Sequence, residues 1–226
     1  MEPEFWHQRW YENKIGFHLD EVNPYLVKHW GDLGVAPGAT VFVPLCGKSL
    51  DMRWLAEHGY QVEAVEISEI AIEQFFEEQG MAAERQILDD WVVYQADSIR
   101  IWCGDFFKFP SQQLNRPELK SIEAIYDRAA LIALPELMRS TYVRKLLEIT
   151  SVVPQLLITL EYNQSQMTGP PFSVSSKEVN ELYRDSYGEI PGPIERTDVL
   201  AEDGRFAERG LGELFENIYL LQLPKK

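Results

Sequence analysis

Short apolar runs alternate along this chain with stretches whose apolar residues return every three or four positions. The first pattern predicts strands and the second predicts amphipathic helices. Thr40–Leu45, Tyr60–Ile67, Ile122–Tyr126 and Gln155–Leu160 read as buried strands. Asn23-Pro24 predicts a helix start, with Asn as the cap and Pro in the first turn. That helix should bury Leu26, Val27 and Trp30 and stop before Gly31. Helices are also expected over Leu50–His58, from Ser68 to Gly80, and over Lys177–Tyr187. The helix after Pro135 should turn Leu137, Met138, Tyr142, Leu146 and Ile149 inward. Trp91 to Trp102 reads as two short strands around Ala96-Asp97-Ser98. Late strands are expected near Ile194–Val199 and Leu214–Leu223.

Strand–helix–strand–helix within some forty residues predicts an α/β architecture, a Rossmann-like, mostly parallel sheet with helices on both faces. At 226 residues the chain suits one domain. Its charge changes the choice of partners. Twenty-one basic against thirty-six acidic residues leave −15. Such a surface is repelled by phosphate backbones and anionic membranes, so no nucleic acid and no membrane partner is expected, and a monomer is. Two cysteines are too few for a disulfide framework. The acidic, aromatic N-terminus lacks the features of a signal peptide, and no apolar run is long enough to span a bilayer, so a cytoplasmic location is expected.

Sheets of this kind bind ligands at the carboxyl ends of their strands. The loop after the first strand is Pro44-Leu45-Cys46-Gly47-Lys48-Ser49. It can be read in three ways. Gly47-Lys48-Ser49 matches the tail of a phosphate-binding loop, but the required first glycine is replaced by Phe42. A dinucleotide fingerprint would need three glycines, and only one is present. A nucleoside without a phosphate cradle needs only the close approach that Gly47 allows. Glu66 closes the second strand nineteen positions later, where an acidic residue can hold ribose hydroxyls. It could equally cap the following helix. Asp105 and Phe106 could bond and stack an adenine, or Phe106 could be plain core.

Further segments narrow the choice. Phe42–Ser49, Val65-Glu66-Ile67-Ser68, Tyr126-Asp127-Arg128-Ala129-Ala130-Leu131 and Gly169-Pro170-Pro171-Phe172 follow one another at characteristic spacing. Trp6, Trp10 and Phe17-His18 precede them and Leu214-Phe215-Glu216 closes the series. From about residue 5 to 222 the chain resembles the thiopurine S-methyltransferases, on their bacterial branch, whose members are associated with selenite and tellurite methylation. The resemblance implies a seven-stranded sheet in a single domain (residues 1–226), with residues 1–22 as an N-terminal helical lid. It implies S-adenosylmethionine as cofactor and methyl transfer to a small-molecule thiol: thiopurines and other aromatic or heterocyclic thiols, with selenite and tellurite as further acceptors. Trp10, Leu45, Glu66 and Arg128 would contact the cofactor, and Trp6, Gly47, Asp105 and Phe106 would support it. Phe17, Arg128, Pro171 and Arg205 would face the acceptor, with Arg209 close enough in sequence to replace Arg205. Ser111–Glu123 is longer than the family leads one to expect.

Arg128 is the one residue assigned a catalytic role, because a guanidinium beside a strand end can orient an attacking sulfur and stabilise its charge. No Cys–His pair or Ser–His–Asp set is evident, and His7, His18, His29 and His58 have no metal-ligand spacing. They are assigned to the surface or the lid, and no metal is expected. The competing class is a non-catalytic nucleoside- or cofactor-binding module of the same fold, since fold alone does not fix function.

Overall fold

The computed structural model describes residues 3–114, 121–201 and 204–223, with the backbone alone at 112, 113, 204 and 205. Its strands are β1 (Thr40–Pro44), β2 (Gln61–Glu66), β3 (Glu84–Leu88), β4 (Trp91–Ala96), β5 (Ile99–Cys103), β6 (Ile122–Arg128), β7 (Gln155–Glu161), β8 (Glu195–Asp198) and β9 (Phe215–Leu221). They form one sheet in the order β3-β4-β5-β2-β1-β6-β7-β9-β8. The central five, β5 through β7, are parallel. Antiparallel strands extend both edges.

The helices are α1 (Pro3–Tyr11), α2 (Pro24–His29), α3 (Leu50–Glu57), α4 (Glu69–Glu78), α5 (Glu136–Thr150), α6 (Ser176–Tyr187) and α7 (Gly204–Glu208). Alternation along the strands divides the core in two. Val41, Val43, Val62, Ala64, Ala124 and Tyr126 pack with α2, α3 and α4 on one face. Phe42, Val65, Ile125 and Leu157 pack with α5 and α6 on the other. Strand order runs outward in opposite directions from β1, so a crevice opens at the carboxyl ends of β1 and β6.

The sheet has nine strands among the described residues rather than seven. The addition is the β3–β4 hairpin on the outside of β5. β4 and β5 follow the expected pattern, whereas β3 had no apolar run to reveal it, because Glu84, Arg85 and Ile87 all face solvent. Two helix faces also differ. Val27 is 53% exposed, and Leu137 is 93% exposed. Leu137 lies about 100° around α5 from Met138, off the stripe that Tyr142, Leu146 and Ile149 bury. The turn in which Arg139 lies instead buries that guanidinium against Glu178 at 2.7 Å. Asn23 caps α2 as expected, accepting from the amides of Tyr25 and Leu26. Gly31 does not end that segment, which continues as a 3-10 turn to Leu33. Within the long 111–123 stretch, residues 115–120 lie outside the described set. No described helix is long and apolar enough to cross a membrane.

Candidate functional site

Beyond the ends of β1, β2, β6 and β7 lies a cavity of about 880 Å³, walled on its outer side by α1 and the segment that follows it. The loop after β1 forms its floor. Leu45 and Gly47 both have positive φ, 47° and 54°. That conformation is costly for a leucine and natural for a glycine, and such strain concentrates at ligand sites. A Cβ on Gly47 would stand 3.2 Å from the indole of Trp10. Glycine therefore lets the floor and the Trp10 indole meet.

Glu66 fixes that loop from the end of β2. One carboxylate oxygen accepts the Gly47 amide at 2.8 Å and the other accepts the Ser68 amide at 2.9 Å. The residue is 4% exposed and lines the cavity. Burial pushes its carboxyl up, and the amides of Ser68, Gly47 and Ile67 act against that shift. Each oxygen keeps acceptor capacity for a ligand hydroxyl. Lys48 does not point a free ammonium at a phosphate. It is tied to Glu78 at 2.6 Å, which removes the phosphate-loop reading. Cys46 lines the same floor, but burial pushes its thiol up, so it remains un-ionised.

On the outer side Trp6, Trp10 and Phe17 interlock edge to face, Phe17 lying 5.7 Å from Trp6 and 5.5 Å from Trp10. Arg128, at the end of β6, donates to the Phe17 carbonyl at 3.5 Å and so links the sheet to this cover. Its successor Ala129 has φ 63°, a second strained residue at the cavity wall. Asp127 steadies this turn from beneath. It accepts from Tyr142 at 2.7 Å and from the Leu131 amide at 3.3 Å, fully buried.

Burial pushes Asp127 up to about 6 from its ordinary 3.8, opposed by the bonds from Tyr142 and Leu131. A carboxyl raised on folding contributes stability that is complete below its unfolded value and lost as pH rises through its folded one. The amount at stake is about 3 kcal/mol, at roughly 1.4 kcal/mol per tenfold change in proton affinity. Relative to an Asp127→Asn variant, the wild-type chain should therefore lose about that much stability between about pH 4 and pH 7. Urea unfolding at both pH values measures it. Parallel pH dependence in the two proteins would show that Asp127 does not titrate in this window.

Of the residues singled out in the sequence, Trp6, Trp10, Phe17, Leu45, Gly47, Glu66, Arg128, Pro171 and Arg209 meet at the cavity. Arg205 falls in α7, and its side chain lies outside the described set. Asp105 and Phe106 do not line the cavity. Asp105 caps a 3-10 turn, accepting the Phe107 amide at 3.0 Å, and pairs with Lys108. That turn sends the Phe106 ring, 1% exposed, into the core against Tyr142 instead of toward a ligand.

Arg9 and His18 are among the cavity residues that were not singled out. Arg9 lies on the α1 face of Trp6 and Trp10, and its Nε is buried with no hydrogen-bond partner among the described residues. The i, i+3 spacing from Trp6 was the available signal. His18, assigned to surface or lid with no chemical role, lines the cavity beside Phe17.

Comparison with known proteins agrees with this geometry. A methyltransferase from Anabaena variabilis, described as S-adenosylmethionine-dependent, superposes with a TM-score of 0.63 at 12% identity, covering 97% of this chain and 94% of that one. The 1,6-didemethyltoxoflavin-N1-methyltransferase of Burkholderia thailandensis, solved with its acceptor and S-adenosylhomocysteine, gives 0.61 at 13% identity, covering 97% and 87%. The fold is thus that of the S-adenosylmethionine-dependent methyltransferases. In sequence, the thiopurine S-methyltransferase of Pseudomonas fluorescens SBW25 is 48% identical over 223 residues, 98% of this chain and 99% of the relative. That of Nitrosospira multiformis is 45% identical, covering 98% of each. The family model for thiopurine S-methyltransferase matches residues 1–224. The chain belongs to the thiopurine S-methyltransferase family and is a methyltransferase. Nothing in these findings favours the non-catalytic alternative.

Proposed function

We propose that this enzyme transfers the methyl group of S-adenosylmethionine to the sulfur of thiopurines and other aromatic or heterocyclic thiols. The observation that carries the reading is a largely apolar cavity with a buried carboxylate at one strand end and guanidinium groups from the other side. The residues suit the cofactor. Glu66 can accept from ribose hydroxyls, Gly47 permits close approach without a phosphate cradle, and the orphaned Arg9 Nε suits the carboxylate of an amino-acid tail. Asp105 and Phe106 support the cofactor side indirectly, by holding the end of β5.

S-Adenosylmethionine supplies an electrophilic methyl group on a sulfonium centre. The chain's own work is positioning, which can supply about 7–11 kcal/mol of the barrier. Trp6, Trp10 and Phe17 cover the site and exclude water. Arg128, with Arg205 or Arg209, orients an acceptor whose sulfur carries negative charge. Phe17 and Pro171 hold its flat ring. We place residues 1–22 as a lid on a single domain, and take the acidic chain as a monomer working in the cytoplasm. Selenite and tellurite are further acceptors in this reading, implied only by the resemblance to the bacterial branch of the family.

A thermal-shift titration tests the cofactor. S-Adenosylhomocysteine at 100 times its Kd should stabilise the chain by about 2.7 kcal/mol. ATP and NAD should leave the melting temperature unchanged. Stabilisation by ATP and none by S-adenosylhomocysteine would overturn the reading.

A further inference from the structure

The four histidines carry no sequence signal for chemistry, yet one of them stands inside the site. His18 belongs to the segment after α1, where its amide bonds to the Ile15 carbonyl at 2.8 Å. Its side chain is 12% exposed and faces the cavity beside Phe17. Its Nε2 is 3.9 Å from an Asp20 carboxylate oxygen, too far for a firm hydrogen bond. The geometry points to His18 as the general base that takes the proton from the acceptor's thiol, an inference that rests on the S-methyltransferase reading of this cavity.

The reaction needs such a group whenever the acceptor binds as a neutral thiol. A sulfur lone pair forms the new bond to the methyl carbon as the bond from that carbon to the donor sulfur breaks. The broken bond's electron pair stays on the donor sulfur. The acceptor, now carrying the methyl, must lose its S–H proton, and a neutral imidazole accepts it. The imidazolium then returns the proton to water past the fully exposed Asp20.

The surroundings keep this imidazole neutral before reaction. Four charged groups act on it: Asp20 on its own segment, Lys48 on the loop after β1, Glu78 on α4 and Arg128 at the end of β6. Burial is the largest influence and lowers the imidazole's proton affinity. Lys48 and Arg128 lower it further, and Asp20 and Glu78 oppose them, with a net shift below the ordinary 6.5. The other proton acceptors lining the cavity are poorer. Glu66 is occupied by two amides, Cys46 is a buried, un-ionised thiol, and Glu216 is a carboxylate, ordinarily a weaker base than imidazole.

The test is the pH dependence of methyl transfer to a series of aryl thiols of graded acidity, with wild-type and His18→Gln enzyme. General bases are worth roughly 10²- to 10⁴-fold. For a weakly acidic thiol, the wild-type rate should be level between the thiol's pKa and a lower value under 6.5, and fall below that. The variant's rate should instead follow the thiolate fraction over the same range. Its deficit should be about 100-fold for the weakest acid and at least tenfold smaller for thiols already ionised. A histidine that only shapes the lid would lower every rate by one factor, and that result would overturn the proposal. The wild-type profile decides the question even if the variant does not fold, because absence of the low-pH limb rejects the base. NMR titration of the His18 ring in the free chain gives a readout without turnover. Its midpoint should lie under 6.5, and a thiol added with S-adenosylhomocysteine should move it. A ring that titrates at 6.5 or above and ignores the thiol contradicts the role. Wild-type enzyme that binds S-adenosylhomocysteine but methylates no thiol would reject the S-methyltransferase reading instead.

Discussion

Glu66→Ala should weaken S-adenosylhomocysteine binding by roughly 10²- to 10³-fold, measured by calorimetric titration. Hydrogen bonds to a charged group contribute about 1.5–3 kcal/mol each, and a ribose offers two hydroxyls. At about 1.4 kcal/mol per tenfold change, loss of one bond and part of the second gives that range. The structure adds a consequence for stability. The carboxylate also satisfies the Gly47 and Ser68 amides in a buried setting. Each amide left without a partner costs about 1–3 kcal/mol. Release of a carboxyl that burial disfavours offsets part of this. The variant should therefore melt lower but still fold, since domains of this size have about 5–15 kcal/mol in hand. A folded variant with wild-type affinity would reduce Glu66 to an organiser of the loop.

Arg128→Ala should lower kcat/KM for an aromatic thiol by about 10²-fold, near the upper end of what one charge-assisted bond contributes. Arg128→Lys should recover little of it, because an ammonium lacks the planar fork. Two functions meet in this side chain. It faces the cavity, and it holds the segment after α1 through the Phe17 carbonyl. Loss of orientation alone would lower kcat with the cofactor's KM intact. Loss of the Phe17 contact would also weaken cofactor binding. Both effects are expected for Arg128. Substitution of Arg205 or Arg209 should spare cofactor affinity, and whichever of the two lowers kcat/KM for several thiols is the acceptor-side arginine.

The sequence made the framework legible because buried parallel strands and amphipathic helices leave periodic traces. The Asn23 cap, the β1 loop and the Glu66 position all followed from local rules of this kind. What escaped lacked such a trace or depended on chain path. β3 is a polar edge strand, whose pairing with β4 is a backbone property. Val27 and Leu137 were misplaced because one residue's rotation on a helix separates buried from exposed. Phe106 is core rather than a stacking platform because a three-residue turn, invisible to periodicity, aims its ring inward. His18 and Arg9 reach the site through the course of residues 3–22 across the strand ends. No local rule fixes that course, although the Trp6, Trp10 and Phe17 pattern marked the segment as one that covers something.

The central claim is catalytic methylation of sulfur, and incubation with 6-mercaptopurine and isotopically labelled S-adenosylmethionine tests it most directly. Mass spectrometry of the products should show the labelled methyl on the purine's sulfur, with one S-adenosylhomocysteine formed for each methyl transferred. Tight binding of S-adenosylhomocysteine without label on 6-mercaptopurine or any other aromatic thiol would contradict the account and leave a binding module in its place.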